Sequence, residues 1–171
     1  MNEVPILGFA AFSGTGKTTL LTRLIPLLKG HGLKIGLIKH AHHHFEIDHP
    51  GKDSYELRKA GASPVMVVSN RRRAIIYEYP PEEDVRLQPQ LAFLKTRELD
   101  LILVEGFKHE AVAKIELHRP ALQTPLLFPN DQSVIAVATD EPLSRPCPLP
   151  LLDLNQPGQI ADFIIHEFLH H

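Results

Sequence analysis

Residues 6–20, Ile-Leu-Gly-Phe-Ala-Ala-Phe-Ser-Gly-Thr-Gly-Lys-Thr-Thr-Leu, constrain this chain more than any other stretch. The apolar run 6–12 has the character of a strand buried on both faces of a parallel sheet. Ser13-Gly14-Thr15-Gly16 makes a turn, and Lys17-Thr18-Thr19 opens a helical pattern. Strand, glycine-bearing turn and helix N-terminus, in that order, are what a phosphate-binding loop (Walker A) requires. Small residues let backbone N–H groups close around phosphate oxygens, and the positive end of the helix dipole adds to the field. In such a loop Lys17 reaches the β- and γ-phosphates and the Thr18 hydroxyl ligates Mg²⁺. Ala11 stands where the consensus has its first glycine. Alanine resists positive φ, so the strand is expected to leave through Ala11 with ordinary dihedrals while Gly14 and Gly16 make the tight part of the turn.

The apolar face of the first helix, predicted over 16–29, is Leu20, Leu21, Leu24, Ile25 and Leu28. Pro26 inside it is expected to kink or loosen the last turn. A second strand over 33–38 follows, so strand, helix and strand form a βαβ unit and imply a parallel sheet. A chain of 171 residues suits one domain, 1–171, and can bury a core without staples. The single cysteine, Cys147, excludes an intramolecular disulfide and fits a reducing compartment. No apolar run approaches the roughly 20 residues that span a bilayer, and the N-terminal residues lack a signal-peptide pattern. The expectation is a cytoplasmic protein. A net charge of −2 gives no general attraction to nucleic acid or membrane.

The second strand runs into a segment, 39–54, with five histidines, two lysines and three carboxylates. It starts where strands of an open α/β sheet present ligands, at their carboxyl ends. Three readings stand. The histidines can ligate a transition metal, although their spacing is irregular and no cysteine is near. The segment can be a solvated loop. Or it lines a pocket for an anionic substrate or partner, with Lys39, His40, His42, His43 and Lys52 as the basic groups. Asp48 is a candidate Mg²⁺ carboxylate. Asp53 with Glu56 has the spacing of a capping box opening a short helix that Gly61 stops; Arg58 and Lys59 read as its solvated face.

Residues 64–79 read as a β-hairpin whose turn carries Arg71, Arg72 and Arg73, either an anion patch or, as charge runs usually are, an exposed turn. A helix is expected after Pro89. In Leu99 to Lys108 four apolar residues, Leu101 to Val104, end in Glu105, the pattern of the second nucleoside-triphosphatase strand, where a carboxylate holds Mg²⁺ through water or positions the attacking water. A salt-bridged strand end is the plainer alternative. Further strands are expected over 113–118 and 133–140. The latter ends in Thr139-Asp140, and a carboxylate there can accept from N1 and N2 of guanine, although Asn-Lys-x-Asp is absent. A last short strand at 151–154 precedes a closing helix with Pro157 at its first position.

Taken together, these segments resemble the molybdopterin-guanine dinucleotide biosynthesis protein B (MobB) family nearly end to end. The carriers are Ser13 to Leu20, Leu37-Ile38-Lys39-His40 with His42-His43, the block Asp48 to Ala62, Leu101 to Lys108, and Ile135 to Asp140. The resemblance implies an α/β P-loop NTPase three-layer fold, with a mainly parallel central sheet flanked by helices, in a homodimer. It implies a GTP-binding accessory protein of weak GTPase activity at most. Its partner would be the guanylyltransferase MobA, which joins GMP to molybdopterin to make the guanine dinucleotide form of the molybdenum cofactor. On this reading Ser13, Gly14, Thr15, Gly16, Lys17, Thr18 and Thr19 hold the triphosphate, and Lys17 offsets its charge. Thr18, with Asp48 or Glu105, holds Mg²⁺. Two other classes fit the same residues: an ATP-dependent small-molecule kinase or ligase, and a nucleotide-gated interaction module with no significant turnover.

Overall fold

Apolar runs alternating with helical ones build a single parallel sheet. The computed structural model describes residues 4–41, 45–79, 85–94 and 98–170. The elements are β1 (Ile6–Ala10), α1 (Lys17–Gly30), β2 (Ile35–Lys39), α2 (Asp53–Lys59), β3 (Val65–Val68), β4 (Arg73–Ile76), α3 (Leu87–Leu94), β5 (Leu101–Glu105), β6 (Lys114–His118), β7 (Val134–Thr139), β8 (Leu151–Asp153) and α4 (Pro157–Phe163). The chain divides into two compact units, Met1–His40 with Arg86–His171, and Ala41–Val85.

The larger unit holds a six-stranded sheet in the order β2-β5-β1-β6-β7-β8. Every neighbouring pair in it runs parallel. Period-two alternation sends Leu7, Phe9, Leu101, Leu103, Ile115 and Leu117 to one face, where they pack with Leu20, Leu21, Leu24 and Leu28 of α1 and Ile160 and Phe163 of α4. On the other face Ile102 and Val104 pack with Leu87 and Leu91 of α3. Pro157 occupies the first turn of α4, where its missing N–H costs nothing, and a π-helical turn, Ile164–Phe168, follows.

Pro26 does not break α1, which continues to Gly30. The proline is on the exposed side of the helix, so the Thr22 carbonyl that loses its partner is on the side where water can replace it.

On β6 the alternation takes an unusual form. Ile115 and Leu117 enter the core, while Lys114, Glu116 and His118 are buried on the opposite face. Each charge is met. The Lys114 ammonium donates to the carbonyls of Lys108 and Glu110 at 2.9 and 2.8 Å and to Asp131 Oδ2 at 3.0 Å. The Glu116 carboxylate accepts the amides of Leu127 and Phe128 at 2.7 and 2.8 Å. Burial pushes the Glu116 carboxyl above its usual range, against the pull of those two amides.

In the smaller unit, β3 and β4 pair antiparallel as the expected hairpin. Asp53 is not the cap of α2. Lys52 occupies that position in extended conformation, Asp53 begins the helix, and Glu56 accepts from the Gly51 amide at 3.3 Å. Arg58 is not solvated either. It is buried, its guanidinium meets the carboxylates of Glu46 and Glu78, and it lies 5.2 Å from the Tyr55 ring. Arg71, Arg72 and Arg73 are exposed, as expected.

Two outcomes follow. Leu24 is fully buried, so Leu24→Ala should lower stability in urea unfolding by about 2.7–5 kcal/mol, the cost of a core cavity. Desolvation pulls the Asp131 carboxyl up, but the Ser133 hydroxyl and amide and the Lys114 ammonium hold it below its ordinary value. The stability it contributes is then complete above the unfolded carboxylate pKa, about 3.9. That stability is lost as the pH falls through the lowered folded value. Asp131→Asn should therefore destabilise the protein at pH 7, with the gap to wild type closing in unfolding curves taken below pH 4.

Candidate functional site

The carboxyl ends of β1, β5, β6 and β7 gather the candidate residues of the larger unit. After Ala10 the backbone keeps ordinary dihedrals through Ala11, while Gly14 and Gly16 take φ of 81° and 97°. These are left-handed values that favour glycine. Thr15 between them is buried, and its hydroxyl donates to the Phe12 carbonyl at 2.8 Å, pinning the turn. Gly16 is the N-cap of α1 and no side chain caps that end. The first helical bond runs from the Leu20 amide to the Gly16 carbonyl at 2.9 Å. The amides of Lys17, Thr18 and Thr19 are therefore the unsatisfied donors of a helix start, at the positive end of its dipole. The hydroxyl-bearing Ser13, Thr18 and Thr19 are exposed and Lys17 is half-buried.

Arg119, which follows β6 directly, was not singled out from sequence. Its Nε donates to the Thr15 carbonyl at 2.8 Å, its Nη1 is paired with Asp140 Oδ2, and its Nη2 lies beside Gly16. The register that pairs His118 with Thr139 brings Arg119 and Asp140 side by side at the ends of neighbouring strands. Asp140 therefore has one oxygen committed to Arg119. The other, Oδ1, is buried and accepts no hydrogen bond among the described residues.

Glu105 ends β5, opposite Phe9 of β1 and Lys39 of β2. Its carboxylate is 3.5 Å from the Lys39 ammonium and its carbonyl accepts the His40 amide at 2.9 Å. Gly106 turns at φ 89°, where a Cβ would meet the Cβ of His40 at 2.8 Å. The His40 ring stacks on Phe107 with centroids 4.8 Å apart. Lys39 and His40 thus pack against the Glu105–Phe107 turn.

Asp48 and Lys52 belong to the smaller unit, and Lys52 is exposed. The Asp48 carboxyl is held below its usual range, chiefly by the Ser54 hydroxyl and further by the His49 amide and the Arg58 charge. Its Oδ2 is buried and unpartnered among the described residues, an oxygen that suits a hard cation. His42 and His43 lie outside the described residues. Among the described residues, no three His, Cys, Asp or Glu side chains cluster as metal ligands, and no helix is long and apolar enough to cross a membrane.

A parallel sheet whose first strand delivers a glycine-shaped turn to an uncapped helix N-terminus defines a P-loop NTPase-like α/β protein. A family model described as "Molybdopterin guanine dinucleotide synthesis protein B" matches residues 6–140. The chain is 53% identical to the molybdopterin-guanine dinucleotide biosynthesis adapter protein of Escherichia coli (strain K12), covering 95% of this chain and 92% of that one. It is 44% identical to the adapter protein of Haemophilus influenzae, covering 99% and 92%. A crystal structure of a MobB homologue from Bacillus stearothermophilus shares the fold with a TM-score of 0.71 at 23% identity, covering 97% of this chain and 99% of that one. The chain belongs to the MobB family.

Arg119→Ala removes the hydrogen bond to Thr15 and leaves Asp140 without its partner. Bonds to charged groups are worth about 1.5–3 kcal/mol each. The variant should unfold at lower urea, and amide exchange at Thr15, Gly16 and Lys17 should speed up more than in the core strands.

Proposed function

We propose that this chain is a GTP-binding adapter in the assembly of the molybdopterin-guanine dinucleotide cofactor. The observation that carries the reading is the geometry of residues 14–19. Two left-handed glycines lead into the start of α1, where three amides are unsatisfied and Lys17 is the first helical residue. An anion with several acceptor oxygens matches that array.

In this reading the triphosphate lies against the amides of Gly14 and of Gly16 to Thr19, and Lys17 offsets its charge. Thr18 and Glu105 are the oxygen donors of the larger unit suited to Mg²⁺, which when bound neutralises charge on the β- and γ-phosphates. Asp140 Oδ1 accepts from the guanine edge. With Oδ2 committed to Arg119, only one carboxylate oxygen remains to make that contact. Among the described residues no glutamine follows the phosphate loop or Glu105 in the usual water-orienting place, which fits slow hydrolysis, and nucleotide state serves chiefly as a signal. MobA is the partner that reads it, in the cytoplasm, and Lys39 and His40 of the larger unit receive the phosphate of the pterin. The exposed apolar residues of the hairpin, Met66, Val68 and Ile75 among them, support a homodimer.

Titration with fluorescent GTP and ATP analogues, with and without Mg²⁺, tests this. GTP should bind more tightly than ATP and need Mg²⁺, and Lys17→Ala should weaken it at least about tenfold, the loss of one charge-assisted contact. Tighter ATP binding, or no effect of Lys17→Ala, would refute the reading. Asp140→Ala should erase the preference for GTP. MobA should co-elute with the GTP-loaded protein more than with the nucleotide-free form.

A further inference from the structure

The guanidinium of Arg119 meets the phosphate loop, and the fold leaves one of its arms open. Nε donates to the Thr15 carbonyl and Nη1 is paired with Asp140 Oδ2. Nη2 makes no hydrogen bond among the described residues, and a Cβ built on Gly16 would lie 3.6 Å from it. The Arg119 side chain is 31% exposed and Nη2 is not buried, so a solute can reach it. A planar fork held at two points is already ordered, so a third contact costs little further side-chain entropy.

Strand order says which part of a nucleotide passes this arm. Glu105, a carboxylate suited to the Mg²⁺ end, closes β5 on one side of β1. Asp140, with its buried unpartnered Oδ1, follows β7 on the other side. The phosphate loop leaves β1 between them, and Arg119 follows β6, the strand between β1 and β7. Neighbouring strands are about 4.8 Å apart, so Arg119 stands about one strand width from each. A nucleoside triphosphate with its terminal phosphate toward β5 and its base toward β7 carries the junction of phosphates and sugar past the end of β6. That junction is the α-phosphate. The lysine of a phosphate loop serves the β- and γ-phosphates, which leaves the α-phosphate to another cation.

We infer that Arg119 is a nucleotide-binding residue, donating through Nη2 to a non-bridging oxygen of the α-phosphate. The inference rests on the chain being a GTP-binding protein. It adds that one side chain joins the two ends of the site: the guanidinium at the α-phosphate is held by the carboxylate that faces the base. An α-phosphate has two non-bridging oxygens, and an arm fixed in place reaches one of them. The site therefore distinguishes the two.

The two diastereomers of guanosine 5′-O-(1-thiotriphosphate) test this, because sulfur replaces a different one of those oxygens in each. Both are titrated calorimetrically into the full chain with Mg²⁺, beside GTP. Sulfur is a weak acceptor, so one diastereomer should bind about tenfold more weakly than the other, the loss of one charge-assisted contact. Arg119→Ala also releases the Thr15 carbonyl, so it should weaken both, and it should make them bind alike. Arg119→Gln, which keeps a donor for that carbonyl, should abolish the discrimination in the same way with the loop still held. An Arg119 that only shapes the loop would lower both affinities by one factor and leave their ratio unchanged. That result, or equal binding of the diastereomers to the intact chain while GTP binds, overturns the inference alone. Failure of GTP and both diastereomers to bind overturns the GTP-binding function and the inference with it.

Discussion

The bond from Arg119 to the Thr15 carbonyl is the constraint on which the candidate site depends. A turn built from two left-handed glycines is entropically expensive to order and weakly determined by its own side chains. The Thr15 hydroxyl fixes it from within. Arg119 fixes it from outside, and the same guanidinium is neutralised by Asp140. The turn is therefore shaped before any anion arrives, and the cost of ordering it falls on folding rather than on binding. The arrangement also joins the end of β7 to the phosphate loop through one planar cation, whose rigid fork suits two acceptors at once.

The two faces of β6 divide the work of the sheet. Ile115 and Leu117 supply core, and Lys114 and Glu116 supply polar anchors for the segment that covers the other face. Buried ionised groups are tolerated only when each donor and acceptor is met. Lys114 with three acceptors and Glu116 with two amides satisfy that rule.

What the sequence made legible was local. The phosphate loop is contiguous because its chemistry requires adjacent amides, so strand, turn and helix could be read from residues 6–20 alone. The order of strand and helix, the hairpin, and Glu105 at a strand end followed from runs of apolar residues and their punctuation. The partner of Thr15 lies 104 residues away and leaves no local trace. Arg58 looked like a solvated charge because the carboxylate that buries it, Glu78, is 20 residues on. The charged face of β6 did leave a signal: polar residues at alternate positions of a strand otherwise apolar. Asp53 and Glu56 had cap spacing, but backbone conformation at Lys52 decided where the helix began.

Strand order has a consequence for how the chain is built. β1 and β2 follow each other in sequence yet never share a hydrogen bond, because β5 lies between them and β6 flanks β1 on the other side. During synthesis the phosphate-loop motif leaves the ribosome early, but the first neighbour of its strand, β5, follows only at Leu101–Glu105 and the second, β6, at Lys114–His118. The smaller unit, residues 41–85, is made in the interval. The motif that appears first thus waits for the strands that flank it, and a nascent chain that ends before β5 carries the motif in full with no sheet to hold it.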